Sequence, residues 1–433
     1  MRSWDPRIEM MPLKELKEMQ YKSLKTLVYR LYSFSEFYRK RMREADVHPD
    51  DIRALEDINK LPFMVKSDLR DNYPDKLFVS PRDEVVRYHA SSGTTGKPTV
   101  VGYTQQDLDY WTLSLARGLT SCGLGRGDVI QVSYGYGLFT GGLGLHYGAE
   151  RIGAAVLPTS VGNTERQIEL MQDMEVTAIA CTPSYLIHIG EAAEKMGINI
   201  KEDTQLGVAI LGAEPWSDEM RLRLEEWLGI KAYDIYGTSE LSGPLFTECE
   251  EQNGIHVWAD MTFVEIIDPE TGEQVAPGER GELTITMLRK EALPIVRYRV
   301  GDVTHLREEE CGCGRTHPRI GRIEGRVDDM LIIRGINVFP SQIEHTLLSI
   351  PQLGSQFQIV VDRKGALDEL LVRVELSKEA FSDKINDLME IKRMVAHRLR
   401  SALNISVGVE LADPGSLPRF EGKAKRVVDR RGL

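Results

Sequence analysis

The 433-residue sequence has few cysteines, no long uninterrupted apolar run and no excess of basic residues. Five cysteines, a sparse and odd number in a large acidic chain, do not make a disulfide framework. No apolar run approaches the ~20 residues that a membrane-spanning helix requires, so we expect no membrane partner. The opening residues, MRSWDPRIEMMPLKEL, lack the apolar core of a signal peptide, and we therefore expect a cytoplasmic protein.

The formal net charge is -12, with acidic and basic residues mixed along the chain. A nucleic-acid partner normally requires a basic patch, so this balance argues against one. Binding of a nucleotide remains compatible with it, because phosphates need only local donors. The chain is too long for one ordinary hydrophobic core, and the length predicts two or more domains.

Hydrophobic spacing predicts an α/β architecture. The first stretch, to about Arg53, has the three- and four-residue apolar spacing of amphipathic helix. Four short β-rich runs then end in glycine or in a helix start: VIQVSY (129–134), TAIACT (177–182), LGVAILG (206–212) and KAYDIYG (231–237). Strand, turn and helix in repetition are typical of parallel sheets, whose sites lie at the C-terminal ends of the strands.

The pattern becomes richer in strands after about residue 256, with TFVEIID and GELTIT (281–286). A charged, glycine-bearing stretch, GRIEGRVDD (321–329), precedes a βαββαβ-like tail that has a helix over roughly 383–403. We therefore predict a large multi-sheet α/β N-terminal domain, residues 1–327, and a smaller α+β C-terminal domain, residues 328–433.

The strongest local signal is a run of glycines and hydroxyl residues. Its glycines allow successive backbone N–H groups to point into one concavity, the hydroxyls add donors and Lys97 adds a mobile charge. The alternative is an ordinary Ser/Thr/Gly surface loop. The spacing differs from the Walker pattern. The predicted phosphate loop consists of Ser91, Ser92, Gly93, Thr94, Thr95, Gly96 and Lys97.

Seven segments in order resemble the phenylacetate–CoA ligase family of the adenylate-forming superfamily. They are YHASSGTTGKPT (88–99), YGYGLFTGGLGLHYGAE (134–150), LGAEPW (211–216), YDIYGTSELSGP (233–244), YRVGD (298–302), GRVDDMLIIRGINVFPSQIE (325–344) and LPRFEGKAKRVVDRR (417–431). The resemblance implies a ligase that uses ATP and Mg²⁺ to form an acyl-adenylate from an aryl acid and then passes the acyl group to coenzyme A. It also implies a homodimer.

The same resemblance assigns the nucleotide site. Tyr236 would stack on adenine, Thr238 would contact phosphate and Glu240 would help to hold Mg²⁺. A carboxylate beside a triphosphate needs an intervening cation, which supports the magnesium assignment, although an acid at a helix start is the alternative for Glu240. Asp302 and Arg326 would contact the ribose. The rest of the predicted nucleotide pocket is Ala213, Glu214, Pro215, Asp234, Ile235 and Gly237.

The C-terminal domain would be mobile and would supply the lysine of adenylation, Lys423. Such an ammonium would stabilise charge between the α-phosphate and the carboxylate. The alternative is one more solvated cation in a basic tail, and Lys425 lies close by. Asp328 resembles the hinge, although an acidic linker turn is the other reading. Rotation about it would open a path for the CoA thiol beside Arg334 and Gly335.

Aromatic and small residues of 134–141 predict the pocket for a flat, apolar acid. Tyr136, Phe139 and Gly141 are the candidates, with Tyr134 as a further aromatic face. For each aromatic residue, ordinary core packing is an equal alternative.

Cys249, His256, Cys311 and Cys313 predict a tetrahedral structural Zn²⁺ site, since three thiolates and one imidazole close the coordination shell. His317 competes for the fourth position. Unrelated buried thiols are the alternative, because cysteine packs readily as a small apolar residue.

Two other functions stay open at this point. A related enzyme could pass the adenylate to another acceptor and would show no CoA-dependent release of AMP. A catalytically silent adenylate-binding regulator would have no need of Lys423 together with Glu240 and Asp302. Release of pyrophosphate from ATP and an acid would separate an enzyme from a binder.

Overall fold

A computed structural model describes residues 2–91, 98–327, 331–333, 336–364, 367–378, 380–381, 385–420 and 425–431. Its helices are α1 (Pro6–Glu9), α2 (Leu13–Phe34), α3 (Glu36–Glu44), α4 (Lys66–Asp71), α5 (Gln105–Ser121), α6 (Thr140–Arg151), α7 (Thr164–Asp173), α8 (Pro183–Lys195), α9 (Ile200–Asp203), α10 (Asp218–Leu228), α11 (Pro340–Leu348) and α12 (Ile385–Leu403). Short 3-10 turns cover Pro49–Asp51, Leu55–Lys60, Arg82–Glu84 and Ser239–Leu241.

The strands of the N-terminal part are β1 (Arg87–Ala90), β2 (Val100–Tyr103), β3 (Val129–Val132), β4 (Ala155–Leu157), β5 (Ala178–Cys181), β6 (Val208–Gly212), β7 (Lys231–Tyr236), β8 (Phe246–Thr247), β9 (Ile255–His256), β10 (Thr262–Ile267), β11 (Arg280–Met287), β12 (Tyr298–Arg307), β13 (Arg319–Ile320) and β14 (Gly325–Arg326). Those of the C-terminal part are β15 (Leu331–Ile333), β16 (Ile336–Val338), β17 (Leu353–Lys364), β18 (Leu367–Leu376), β19 (Gly408–Ala412) and β20 (Val427–Asp429).

One twelve-stranded sheet organises the large domain, in the order β10-β11-β12-β13-β9-β8-β7-β6-β5-β3-β4, with β14 paired to β12. The strands from β4 to β7 are parallel, as the buried β-rich runs predicted. From β8 onward the neighbours are antiparallel. A separate hairpin, β1–β2, packs against the turn at 239–241. The α/β expectation is confirmed.

Close backbone packing shapes the edge of the sheet where β6 and β7 end. A Cβ at Gly212 would lie 2.2 Å from the carbonyl oxygen of Ile235 on the adjacent strand. A Cβ at Gly237 would lie 2.7 Å from the Cα of Gly243. Only glycine allows both approaches, and the second one folds residues 238–243 back against the end of β7.

The small domain has a four-stranded sheet, ordered β19-β18-β17-β20, and a separate β15–β16 hairpin. The βαββαβ expectation for the tail holds from β16 to β19, with one strand added at each end. Leu347 and Leu399 pack among the strands in a core of this domain's own. A chain segment with its own core meets the physical definition of a domain.

Among the described residues, two ion pairs and one histidine–carboxylate contact cross between the two domains. The guanidinium of Arg419 contacts Glu191 of α8 at 2.8 Å and Glu375 of its own domain at 2.7 Å. Lys378 lies 2.6 Å from Glu194, and His345 lies 3.0 Å from Glu219. The side chain of Leu348 packs among apolar residues of the large domain.

Among the described helices, none combines the length and the apolar composition needed to cross a lipid bilayer.

A buried ion pair gives a test of the large domain. Arg117 and Asp260, exposed by only 1% and 3%, meet at 2.7 Å. We expect Arg117→Met to lower the free energy of unfolding by about 3–5 kcal/mol, because Asp260 would keep a buried charge without its main partner. Denaturant unfolding monitored by circular dichroism measures the change. Lys22→Met, which breaks an exposed helix pair with Glu18, is the control and should leave the midpoint unchanged. Equal midpoints for both variants would contradict the expectation.

Candidate active site and metal centre

A chain of three side chains spans the two halves of the large sheet. The hydroxyl of Tyr236, at the end of β7, donates to the Oδ2 of Asp302 on β12 at 2.6 Å. Arg326 on β14 contacts the other carboxylate oxygen at 2.8 Å. Strand pairing sets this geometry, since Asp302 and Arg326 are register partners. Burial, followed by the nearby Asp302 carboxylate, raises the pKa of Tyr236 well above its usual value, so the phenol stays a donor. The three residues predicted to hold the nucleoside are therefore neighbours.

The segment after β6 lies beside the end of β7, because Gly212 and Ile235 are partners in parallel strands. Ala213 has a φ of 68°, which is uncommon for a residue with a Cβ and is often found at functional sites. The carboxylate of Glu214 accepts from the hydroxyl of Ser184 at 2.8 Å and from its backbone N–H at 3.2 Å, both at the start of α8. These bonds fix the 213–215 segment, which is part of the predicted adenine pocket, to the start of α8.

Asp234 and Ile235 directly precede Tyr236 in β7. Both are buried in β7. Burial and the neighbouring carboxyl of Glu248 raise the pKa of Asp234 to about 8. The Nη1 of Arg322 lies 3.4 Å from the carboxyl of Asp234, and the guanidinium of Arg322 lies over the ring of Trp216, 4.4 Å from its centroid. Asp234 is thus part of a buried network rather than a surface open to ligand.

The turn after β7 carries two polar atoms without a hydrogen-bond partner in the described part of the chain. These are the Oγ1 of Thr238 and the Oε1 of Glu240, both shielded from solvent. The ammonium of Lys290 donates to the Oγ of Ser242 at 2.8 Å and lies 3.5 Å from the carbonyl oxygen of Glu240. Burial lowers the pKa of Lys290 to about 8. The Oε1 of Glu240 lies 3.5 Å from the ammonium of Lys66, which is ion-pair distance. Buried polar atoms normally have a hydrogen-bond partner, so the turn is a candidate ligand-binding segment.

The predicted phosphate loop connects the strands of the β1–β2 hairpin. Ala90 and Val100 are strand partners, and the N–H of Ser91 donates to the carbonyl of Thr99 at 3.0 Å. The two ends of the loop are therefore held together next to the turn at 239–241.

The predicted acid pocket, residues 134–141, contacts both the β1–β2 hairpin and the turn after β7. The N–H of Ala90 donates to the carbonyl of Leu138 at 3.0 Å. At the start of α6, the hydroxyl of Thr140 lies 3.5 Å from that of Ser239. The phosphate hairpin, the turn after β7 and the loop at 134–141 thus converge at one place, although they are distant in sequence.

Of the pocket residues, Tyr136 is half-buried and its hydroxyl lies 3.3 Å from the Nδ1 of His146. Phe139 is 43% exposed, and its ring covers buried Gly141, where a Cβ would come within 2.5 Å of it. Tyr134 is core: it is buried and donates to the carbonyl of Cys181 at 2.6 Å.

Several predicted residues lie outside the described part of the chain, and their roles stay predictions. They are Ser92, Gly93, Thr94, Thr95, Gly96 and Lys97 of the phosphate loop, Asp328, Arg334, Gly335 and Lys423.

The predicted metal ligands are brought together. The ligand atoms of Cys249, His256, Cys311 and Cys313 all lie within 4.8 Å of one another, and all four residues are buried. The sulfurs of Cys249 and Cys311 are 3.7 Å apart, which excludes a disulfide. The Sγ of Cys313 is 3.4 Å from the Nε2 of His256. A tetrahedral ion with bonds of ~2.3 Å to sulfur would place two sulfurs about 3.8 Å apart, so the residues fit.

His317 is not a member of this cluster. Its Nδ1 accepts from the N–H of Ala259 at 2.9 Å, and its Nε2 lies 2.9 Å from the carbonyl of Ile8. Burial lowers its pKa, consistent with a neutral ring that accepts at one nitrogen and donates at the other. Both ring nitrogens of His317 are therefore engaged, one by Ala259 and the other by Ile8 of the N-terminal segment. His256 completes the ligand set.

Sequence reasoning overlooked Lys66 and Lys290. Lys66, at the start of α4, lies 3.5 Å from the carboxylate of Glu240. Lys290 lies between Arg289 and Glu291 in the sequence, yet it is only 4% exposed. A charged run of this kind predicts exposed side chains, so the sequence carries no signal for the burial of Lys290, and the partner of Lys66 is too distant in sequence to leave one.

Comparison with known proteins gives a consistent family. Residues 22–287 match the model of the AMP-binding enzyme family, and residues 335–431 match its C-terminal domain. The phenylacetate-coenzyme A ligase of Thermus thermophilus is 46% identical, covering 99% of each chain. The phenylacetate-coenzyme A ligase of Escherichia coli is 47% identical, covering 99% of this chain and 98% of its own.

A solved relative, 2-hydroxyisobutyryl-CoA ligase, has been captured in more than one state. Its postadenylation state, in complex with R3-HIB-AMP, superimposes with a TM-score of 0.94 at 31% identity, covering 100% of this chain and 93% of the other. Its thioesterification state, with 2-HIB-AMP and CoA, gives a TM-score of 0.74 over the same shares at 32% identity. The fold of the present chain is therefore closer to the first arrangement.

The metal cluster gives a direct prediction. We expect about one metal ion per chain, as a full set of four protein ligands implies. Cys313→Ser should lose the ion and lower the melting temperature, because the remaining buried ligands would be left without it. Elemental analysis and thermal denaturation measure both effects. Cys122→Ser, a buried cysteine outside the cluster, is the matched control and should keep the ion. A wild-type protein that is stably folded without any bound metal would refute the site.

Proposed function

Because the chain belongs to the phenylacetate–CoA ligase family of adenylate-forming enzymes, we propose that it activates an aryl acid, phenylacetate above all, with ATP and transfers the acyl group to CoA. The acid attacks the α-phosphate of ATP to give an acyl-adenylate and pyrophosphate. The thiol of CoA then takes the acyl group and AMP leaves. Acyl-AMP bound to the solved relative supports this order.

The observation that carries the proposal is the convergence of three separate features. The hairpin that encloses 92–97, the turn after β7 and the loop at 134–141 meet where Thr140 and Ser239 lie 3.5 Å apart. A nucleotide site beside an acid pocket is what this reaction needs, since alignment of the two reactants supplies much of the rate.

Within this site we assign adenine to the face of Tyr236 and to the 213–215 segment, and the ribose to Asp302 and Arg326. The carboxylate of Asp302 is held at both oxygens, so its position is set before a ligand arrives. Such preorganisation lowers the cost of binding. The hydroxyl of Thr238 has no hydrogen-bond partner among the described residues, and we assign it to the phosphates.

Magnesium is the cation that fits Glu240, because a carboxylate oxygen is a hard ligand and the Oε1 of Glu240 is buried without a hydrogen bond in the described chain. When bound, the ion would neutralise phosphate charge. For the second site, zinc is the ion that fits three thiolates and one imidazole. Four protein ligands leave no open position, so its role is structural.

The acid would lie against Tyr136 and Phe139. The aromatic faces and the glycine at 141 suit a flat ring, and the partial exposure of Phe139 provides an entrance. The carboxylate of the acid would be met by Lys423, whose ammonium stabilises charge that develops during attack.

The C-terminal domain is proposed to rotate about Asp328 between the two half-reactions, so that CoA enters beside Arg334 and Gly335. The higher similarity to the postadenylation arrangement than to the thioesterification arrangement supports such a difference between states. We further propose a cytoplasmic homodimer, whose mass light scattering would measure.

The function is tested with purified protein, ATP and a panel of aryl acids. We expect acid-dependent exchange of pyrophosphate into ATP and CoA-dependent release of AMP, with phenylacetate among the best substrates. Hydroxyphenylacetate, indoleacetate and benzoate complete the panel. Exchange without CoA-dependent AMP release would indicate a different acceptor, and no exchange with any acid would indicate a binding protein.

Lys423→Ala separates the half-reactions. We expect it to lower adenylate formation by about a hundredfold or more, as loss of one group that stabilises the transition state does. Thioester formation from preformed acyl-AMP and CoA should remain within a few-fold of wild type. Lys425→Ala, two residues away, is the control and should keep both activities. Equal loss of both half-reactions in Lys423→Ala would contradict its assignment.

A further inference from the structure

Lys66 reaches the proposed magnesium ligand from a different part of the chain. Its Nζ lies 3.5 Å from the Oε1 of Glu240, and its side chain is 44% exposed while that of Glu240 is 6% exposed. The ammonium thus connects solvent with a buried carboxylate. The separation exceeds the 2.7–2.9 Å of a charge-assisted hydrogen bond, so Lys66 is not committed to Glu240.

The segment that carries Lys66 is firmly anchored. The carboxylate of Asp68 accepts from the N–H of Val65 at 2.8 Å and from the guanidinium of Arg41 at 2.7 and 3.0 Å. The N–H of Met64 donates to the carbonyl of Arg297 at 3.0 Å. The backbone is therefore fixed beside β12, whereas the four-carbon side chain of Lys66 is free to change direction.

The distances place Lys66 within reach of a bound triphosphate. A magnesium ion on Glu240 would have bonds of ~2.0–2.1 Å to each oxygen, so phosphate oxygens on that ion would lie within about 4 Å of the carboxylate. Lys66 already lies at a similar distance from the same carboxylate. Negative charge also accumulates on pyrophosphate as it departs, and a cation there would stabilise the transition state.

We propose that Lys66 binds the β- and γ-phosphates of ATP, and hence the departing pyrophosphate, by turning from Glu240 toward the triphosphate. The inference rests on the proposed function, in which Lys423 serves the α-phosphate and Glu240 holds the metal. Lys66 would then act in adenylation together with Lys423 and with Lys97 of the predicted phosphate loop, and it has no part in the transfer to CoA.

The test compares Lys66→Ala with Lys60→Ala. Lys60 is a matched control, since its side chain is 45% exposed and its Nζ is paired with Asp57 at 2.8 Å. Calorimetric titrations with pyrophosphate and with AMP, each in the presence of Mg²⁺, report binding without turnover. We expect Lys66→Ala to weaken pyrophosphate binding by about tenfold or more, the usual effect of one lost charged contact, and to leave AMP binding within twofold. Lys60→Ala should match wild type for both ligands.

Kinetics give a second readout. Lys66→Ala should slow adenylate formation and raise the KM for ATP, while thioester formation from preformed acyl-AMP stays at the wild-type rate. Lys66→Arg should recover part of the pyrophosphate affinity. Unchanged pyrophosphate binding in Lys66→Ala, or an equal weakening of AMP binding, would overturn this inference and leave the proposed function unaffected. A wild-type protein without acid-dependent pyrophosphate exchange would instead refute the proposed function and this inference with it.

Discussion

The hydrogen bond from Tyr236 to Asp302 joins the parallel and antiparallel halves of the large sheet at the place where the predicted nucleotide residues meet. It brings the end of β7 against the middle of β12, although the two strands belong to distant parts of the chain. Arg326 occupies the remaining carboxylate oxygen of Asp302, so that the ring and the acid are both oriented. The turn at 238–242 follows directly from β7, and its position therefore depends on the same contact.

Much of the fold followed from local patterns. β-rich runs that end in glycine or in a helix start predicted β3, β5, β6 and β7, because strands of a parallel sheet that is covered on both faces are largely apolar. The nucleotide residues were predicted as a set from the family resemblance of the short motifs that contain them. The structure places Tyr236, Asp302 and Arg326 together. The roles of Lys423 and of the phosphate-loop residues after Ser91 stay predictions.

The remainder could not be predicted because it depends on contacts between distant segments. The single twelve-stranded sheet requires β13 to pair with β9, and nothing in either two-residue strand specifies a partner. The choice between His256 and His317 was likewise open until the two ring nitrogens of His317 were seen to be bound elsewhere. Lys66 was overlooked for the same reason: the acid that it faces is far along the chain.

Arg419 has two acidic partners, one in each domain. If the small domain rotates as a unit, Glu375 travels with the guanidinium and only Glu191 is left behind. Glu191 is partly exposed, so water can solvate its charge, whereas the buried carboxylate of Glu375 never loses its cation. Separation of the two domains would therefore leave neither carboxylate of this cluster buried without a cation or water to stabilise its charge.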